Sequence, residues 1–508
     1  MQRPALKCLI LLALLVNFLT AADPVLTENA QKDNATNTAE DQMILGNMYA
    51  AGDGVAKDTL EAVKWFRLAA AQGSTQAQCR LGLIYATGDG LPKDSTEAMK
   101  WYRLAAEHGS ADAQLILGRV YATGDGLPPD ASEAVKWYRM AAAQGNAQAQ
   151  FNLGETYAAG HGVPPDKVEA FKWYHAAANR GNKDAQLVLG DKYEAGDGVP
   201  KDGIEALTWY RKAAVQDNAG AQFILGNKYA LGVGVPKDGA EAAYWFRKAA
   251  AQGKPTAQYR LGLLFATGDG LPKDAPEAAK WFRLAAAQGS LEAQMSLGRM
   301  YATGDGLPKD GTEGVKWFRL AAEQGNPQAQ CNLALLYATG DGVPRDGAEA
   351  AKWYRRAATA GSADAQLILG MRCYNGDGVP KDKTEAVKWL GAAAAQGNAQ
   401  AQTNLGVMYE IGDGVPRNSF EAVKWYRKAA AQGIARAQRN LGSMYDRGDG
   451  VPKDPVEGLA WSIVAAASGD EIFVKSRDLI KGRLGNQTIL AAQQRSLEIM
   501  KEIETTKP

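Results

Sequence analysis

The residues of this 508-residue chain best suited to catalysis or metal binding are few: three histidines and four cysteines. His161 and His175 are close enough in sequence for a zinc pair to be conceivable, but no third ligand follows at a zinc-site spacing. His108 stands where related segments carry mostly Gln, His161 replaces an Asp in a Gly-x-Gly turn, and His175 replaces an Arg. Each reads as a change at a surface position. Recurring Gly-Asp-Gly turns, such as Gly88-Asp89-Gly90, suggest calcium, yet ligands do not follow at alternating positions, and His161 and Val233 break the pattern. A glycine turn with a solvated Asp accounts for them. The sequence has no phosphate-cradling loop, His-Glu-x-x-His helix, nucleophile elbow, dinucleotide fingerprint or Ser-x-x-Lys motif. The reading is of a chain that is not an enzyme, with no cofactor, no metal and no catalytic residue.

The ends and the charge narrow the class further. Arg3 and Lys7 precede an apolar run from Cys8 to Leu19, and Thr20-Ala21-Ala22 supplies small residues before Asp23. Residues 1–22 therefore read as a cleaved signal peptide, too short to span a bilayer comfortably. The product would be secreted or periplasmic, with no later membrane span. Net charge is +1 and falls to about −1 without Arg3 and Lys7, which leaves no basic excess for nucleic acid. The three cysteines beyond the signal, Cys79, Cys331 and Cys373, are an odd number and argue against a disulfide framework. Cys331 and Cys373 would be offset by roughly 9 Å along equivalent helices, too far for an unstrained bridge.

The elements that carry these residues follow from one period. All twelve Trp, from Trp65 through Trp101 to Trp461, are spaced by 36 residues without insertion or deletion. Twelve units over 39–470 result, preceded by a polar leader over 23–38 and followed by 471–508, whose apolar spacing predicts two capping helices. In the second unit Ala77, Gln78, Leu81, Gly82 and Tyr85 share one side of a helix. Gly88 and Gly90, present in all twelve units, end it and turn the chain. Asp94 and Glu97 form a capping box for a second helix, whose buried stripe is Ala98, Trp101, Tyr102, Ala105 and Ala106. The paired alanines let helices approach closely, and the Trp fills the wedge between layers. Lys100 and Arg103 beside Glu97 imply a solvated, ion-paired outer face.

The motif Ala-x-x-x-Leu-Gly-x-x-Tyr-x-x-Gly-x-Gly-Val-Pro-x-Asp, followed by Glu-Ala-x-x-Trp-Tyr and Ala-Ala-x-x-Gly, resembles the Sel1-like repeat family, a relative of the tetratricopeptide repeats. Ala257, Leu261, Gly262, Gly268, Gly270, Pro272, Asp274, Glu277 and Trp281 carry the match in the seventh unit. The resemblance implies an all-α, right-handed superhelical solenoid of twelve helix–turn–helix repeats, with first helices lining the concave face, and an adaptor role in assembling complexes.

One surface varies where the rest is fixed. Positions equivalent to 76, 80, 83 and 87 lie opposite the invariant stripe of the first helix. Many are apolar, which is unexpected for a solvated face. Leu335, Ile368, Met371, Val407 and Ile411 could make a continuous apolar patch, and Arg119, Glu155 and Asp191 add charge elsewhere along it. Curvature that buries these residues between first helices is the competing reading. Binding of proteins or peptides on this face, as a non-catalytic scaffold, is the function that the pattern favours. The alternative is the branch of Sel1-like proteins associated with β-lactam binding or hydrolysis. Its members carry paired cysteines through their repeats, which this sequence lacks.

Overall fold

The computed structural model describes residues 38–125 and 128–506. The segment read as a signal peptide, and the leader apart from Thr38, lie outside the described residues. The described residues form 26 helices and no strand. Each 36-residue repeat supplies two helices; in repeat 2 these are Thr75–Thr87 and Ser95–Glu107.

Local chemistry sets the ends of each helix. The Asp94 carboxylate accepts the Glu97 backbone N–H at 2.9 Å, which starts the second helix. Only this half of the expected capping box forms. The Asp94 N–H already donates to the Tyr85 carbonyl at 2.9 Å, so the Glu97 side chain has no orphan donor to reach and pairs with Lys100 at 2.9 Å. First helices have caps that the period did not announce: the Ser74 hydroxyl accepts the Ala77 N–H, and Asn146 does the same for Ala149. Gly88 and Gly90 take φ of 77° and 74°. A Cβ on Gly90 would also lie 2.4 Å from the Thr59 side chain, so glycine lets the turn of repeat 2 rest against the second helix of repeat 1.

The core is built from small residues facing one aromatic, and that aromatic is not the Trp. Ala105 and Ala106 are fully buried, as the close approach of helices requires. The residue after each Trp goes deepest: Phe66, Tyr174, Phe282 and Tyr426 are at most 2% exposed. Its ring covers the helical glycine of the same repeat. A Cβ on Gly82 would come within 2.7 Å of the Tyr102 ring, and one on Gly262 within 2.6 Å of Phe282. The indoles do wedge between layers. Trp101, Trp137, Trp173 and Trp209 each pack against the core of the preceding repeat. Because an indole spans that boundary instead of facing the centre of its own pair, most are half-buried; Trp209, Trp317 and Trp353 are buried.

Two polar connections join repeats. From repeat 2 onward, a buried glutamine of the first helix donates to an alanine carbonyl of the second helix before it, as Gln114 does to Ala106 at 3.0 Å and Gln366 to Ala358 at 3.0 Å. In most repeats its carbonyl oxygen accepts from a glutamine at the end of its own repeat: Gln144 donates to Gln114, and Gln396 to Gln366, both at 2.8 Å. The second connection corrects the expected outer face. Lys100 pairs with Glu97, but Arg103 reaches into repeat 3 and donates to the Tyr121 hydroxyl at 2.8 Å. Arg139–Tyr157 and Arg427–Tyr445 repeat the contact. Where Cys373 replaces that Tyr, Arg355 turns to Glu385 at 2.5 Å instead.

The chain divides into two compact units, one ending at Lys237 and one beginning at Asp238. The first contains repeats 1 to 5 and the first helix of repeat 6, Ala219–Leu231; the second contains Gly239–Ala251, repeats 7 to 12 and the C-terminal helices Glu471–Lys481 and Asn486–Thr506. Within each unit neighbouring repeats stack as in a solenoid. Ile480, Ala492 and Ile499 from the two C-terminal helices are buried against Leu459 and Ala460 of the last repeat. Arg495 ties the longer one to Glu457 at 2.7 Å. Among the described residues no helix is long and apolar enough to cross a membrane.

Candidate partner-binding face

The four variable positions of the first helix do come together on one face. In repeats 7 to 9 they line a groove of about 680 Å³. Its walls include Glu292, Ser296, Arg299 and Thr303 from one helix and Gln328, Asn332 and Leu335 from the next, all drawn from the variable positions. Its floor adds Tyr259, Leu291, Met295 and Phe318. Tyr259 and Met295 occupy a column that sequence reasoning passed over, the one equivalent to Cys79. That column runs through Leu115, Phe151, Tyr259, Met295, Thr403 and Arg439. Such variety beside an invariant Leu and a nearly constant Ala and Gly was the available signal that the position lines a surface instead of filling the core.

The expected apolar patch spreads over repeats 9 to 11 with uneven exposure. Leu335 and Ile411 are 53% and 61% exposed. Ile368, Met371 and Val407 are half-buried against the repeat cores. The Met371 sulfur also accepts from the Asn404 amide of the next repeat at 3.4 Å. Of the five, Leu335 alone belongs to the groove.

The charged candidates are held by their own repeats. Arg119 is half-buried close to Tyr138, whose hydroxyl is pushed up to about 12, chiefly by burial. Glu155 accepts from the Tyr174 hydroxyl at 2.5 Å, and Asp191 from Tyr210 at 2.8 Å. Burial raises the Asp191 carboxyl, and the Tyr210 hydrogen bond opposes it. Both tyrosines are raised strongly, first by burial and then by the carboxylates they bind. Alongside, Lys228 pairs with Glu194 at 2.7 Å and Lys192 with Asp197 at 2.6 Å. This stretch of the face therefore carries carboxylates already bonded to tyrosines, with ion pairs beside them, whereas Arg299 in the groove of repeats 7 to 9 has no ion-pair partner among the described residues.

The histidines and cysteines do not assemble. No cluster of three or more potential metal ligands occurs among the described residues. His161 lies exposed in its turn. His175 is no loose surface residue: it is half-buried, with its ring 5.9 Å from the Trp209 ring of the next repeat. His108 sits 3.2 Å from the Gln78 amide, the place that glutamine fills elsewhere. Several Asp residues of the glycine turns pair with cations of the preceding repeat, as Asp197 does with Lys167 at 2.8 Å and Asp341 with Lys309 at 2.7 Å. Cys79, Cys331 and Cys373 are free thiols.

Comparison with known proteins agrees with the repeat period. The Sel1 repeat family profile matches twelve consecutive segments, from residues 39–74 to 435–470. Among solved structures, c5321, a protective antigen of uropathogenic Escherichia coli strains displaying an SLR fold, is 36% identical with a TM-score of 0.72; the match covers 88% of this chain and 97% of that one. A Sel1 repeat protein from Oxalobacter formigenes is 33% identical over 48% of this chain and 96% of its own, with a TM-score of 0.39. No curated protein is a significant match. Sel1 repeats are protein-interaction modules, generally non-catalytic. Twelve matched repeats in phase, with their turns, capped helices and glycine-covered aromatics, make this chain a member of the Sel1 repeat family.

Proposed function

We propose that this protein is a non-catalytic scaffold, exported from the cytoplasm, that holds protein partners against its first-helix face. The observation that carries the reading is the groove over repeats 7 to 9. It is lined by the positions that vary from repeat to repeat, while the positions that build each repeat stay fixed. Variation along one first-helix face that forms a groove suits a binding face and is not required by packing within the repeat. The apolar content supports the same reading, since Leu335 and Met295 present surface that water does not favour. Export is supported by the signal-like residues 1–22, and the E. coli relative is a protective antigen, a property suited to a protein outside the cytoplasm.

The test is site-specific cross-linking in the native compartment. A photoreactive amino acid at Leu335 should capture a discrete protein partner, and one at Leu320 on the outer face should not. Capture from both positions alike, or a small-molecule product formed with turnover, would overturn the scaffold reading.

A further inference from the structure

We propose that the groove over repeats 7 to 9 binds an extended peptide segment that carries a carboxylate beside an apolar side chain. Arg299 would take the carboxylate and the Met295–Leu335 floor the apolar group. The inference rests on the reading of this face as a protein-binding surface and names its ligand.

Two independent observations support it. The first is charge. Arg299 lines the groove and has no ion-pair partner among the described residues. The other charged group of the lining, Glu292, accepts from the Ser290 hydroxyl at 3.0 Å, about two helical turns or 10 Å away along the same helix. A cation in a part-apolar groove with no carboxylate within ion-pairing reach is complementary to an anionic side chain.

The second is a pair of uncommitted amide groups. Gln328 donates to the Asn332 carbonyl oxygen at 3.1 Å. The same pair exists in repeat 4, where Gln148 donates to Asn152 at 2.9 Å, and there the remaining groups are used. Asn182 donates to the Gln148 oxygen at 3.2 Å, and Asn152 is hydrogen-bonded with Tyr138. In repeat 9 the counterparts are Ser362 and Phe318. Phenylalanine has no hydroxyl, and the shorter Ser362 side chain accepts the Ala365 N–H and contacts the Cys331 sulfur at 4.0 Å instead of bonding to Gln328. The Gln328 oxygen and the Asn332 N–H groups are left without a protein partner among the described residues, at the solvent-facing wall of the groove. An extended peptide unit presents the complementary N–H and C=O, whereas a helix satisfies its own. In extended chain, residues i and i+2 face the same side, so a carboxylate and an apolar group at that spacing enter the groove together.

The experiment measures fluorescence anisotropy of a dye-labelled peptide, Gly-Ser-Leu-Gly-Asp-Gly-Leu-Gly-Ser, with the full exported chain. A second peptide replaces Asp by Asn. The Asp peptide should bind about ten-fold more tightly than the Asn peptide at low salt. Arg299→Gln should abolish that difference with no change in thermal unfolding, and Asn332→Ala should weaken both peptides equally. Equal affinity of the two peptides for the wild-type chain, or no binding of either, would overturn the proposal. If the peptides fail while cross-linking at Leu335 still captures a partner, the peptide assignment falls and the scaffold reading stands; if both fail, both fall.

Discussion

The amide oxygen of Gln330 is buried without a hydrogen bond among the described residues, because Ala360 occupies the position from which a glutamine reaches it in other repeats. The same gap occurs at Gln150, opposite Arg180. Ala360→Gln should complete the connection and raise stability by about 1 kcal/mol, the net value of one satisfied hydrogen bond. Denaturant unfolding measures the gain, and Ala360→Leu, which adds bulk without an amide, should not reproduce it. A lower midpoint for the glutamine variant would show that the Gln330 oxygen has no need of a partner.

Burial separates neighbouring aromatics. Phe282 is 1% exposed under Gly262, whereas Trp281 is half-buried. Phe282→Ala should cost about 3–5 kcal/mol, and Trp281→Ala less. Stability in a repeat array is local, so hydrogen exchange should rise mainly in repeats 7 and 8. The reverse order of costs would restore the indole as the central residue.

How far the sequence disclosed these roles depends on how directly each position is constrained. The glycine turns and the alanine pairs were legible because a positive φ and a close helix approach admit few residues. The identity of the deepest aromatic was not, since Trp281 is invariant in type across the repeats while the Phe282 position alternates between Phe and Tyr and even becomes Leu390 and Ser462. Invariance marked the residue at the boundary between layers, and depth was set by the partner glycine twenty positions earlier. The Arg103–Tyr121 bond was illegible for a similar reason: proximity along one helix favoured Glu97, but the side chain crosses to the next repeat. For the binding face, the variable columns were readable from the register of one helix. That Glu155 and Asp191 would be consumed by Tyr174 and Tyr210 required the second helix to be in place.

Asp197 gives a pH signature. Lys167 and Lys192 both donate to its carboxylate and hold it down to about 2. A carboxyl depressed in the folded state stabilises fully above its unfolded value, about 3.9, and that contribution disappears as pH falls toward 2. The stability difference between the wild type and Asp197→Asn should therefore be constant above pH 5 and vanish near pH 2. Unfolding midpoints across that range measure it; a difference that persists at pH 2 would assign the effect to packing.

The thiols should react in a defined order. Cys373 is fully buried, and burial pushes its thiol up to about 11. Cys79 and Cys331 are half-buried and are raised by the same cause. Iodoacetamide at pH 8, with sites located by mass spectrometry, should label Cys373 last and only on unfolding. Early labelling of Cys373 would reveal local opening between repeats 9 and 10.

Export predicts a covalent change. N-terminal sequencing of the protein recovered from its native compartment should begin at Asp23, after cleavage behind Ala22. A mature chain that retains Arg3 and Lys7 would remove the case for secretion.

The glutamine that ties each first helix from repeat 2 onward to an alanine carbonyl before it also acts as a ruler. Apolar surfaces tolerate sliding, but a slip of one residue would strand a buried amide and a buried carbonyl at the junction where it occurs. Adding or deleting an entire 36-residue block strands nothing, because each junction is the same as the last. The number of blocks is thus free to drift over evolution, while their size is locked by a single side chain.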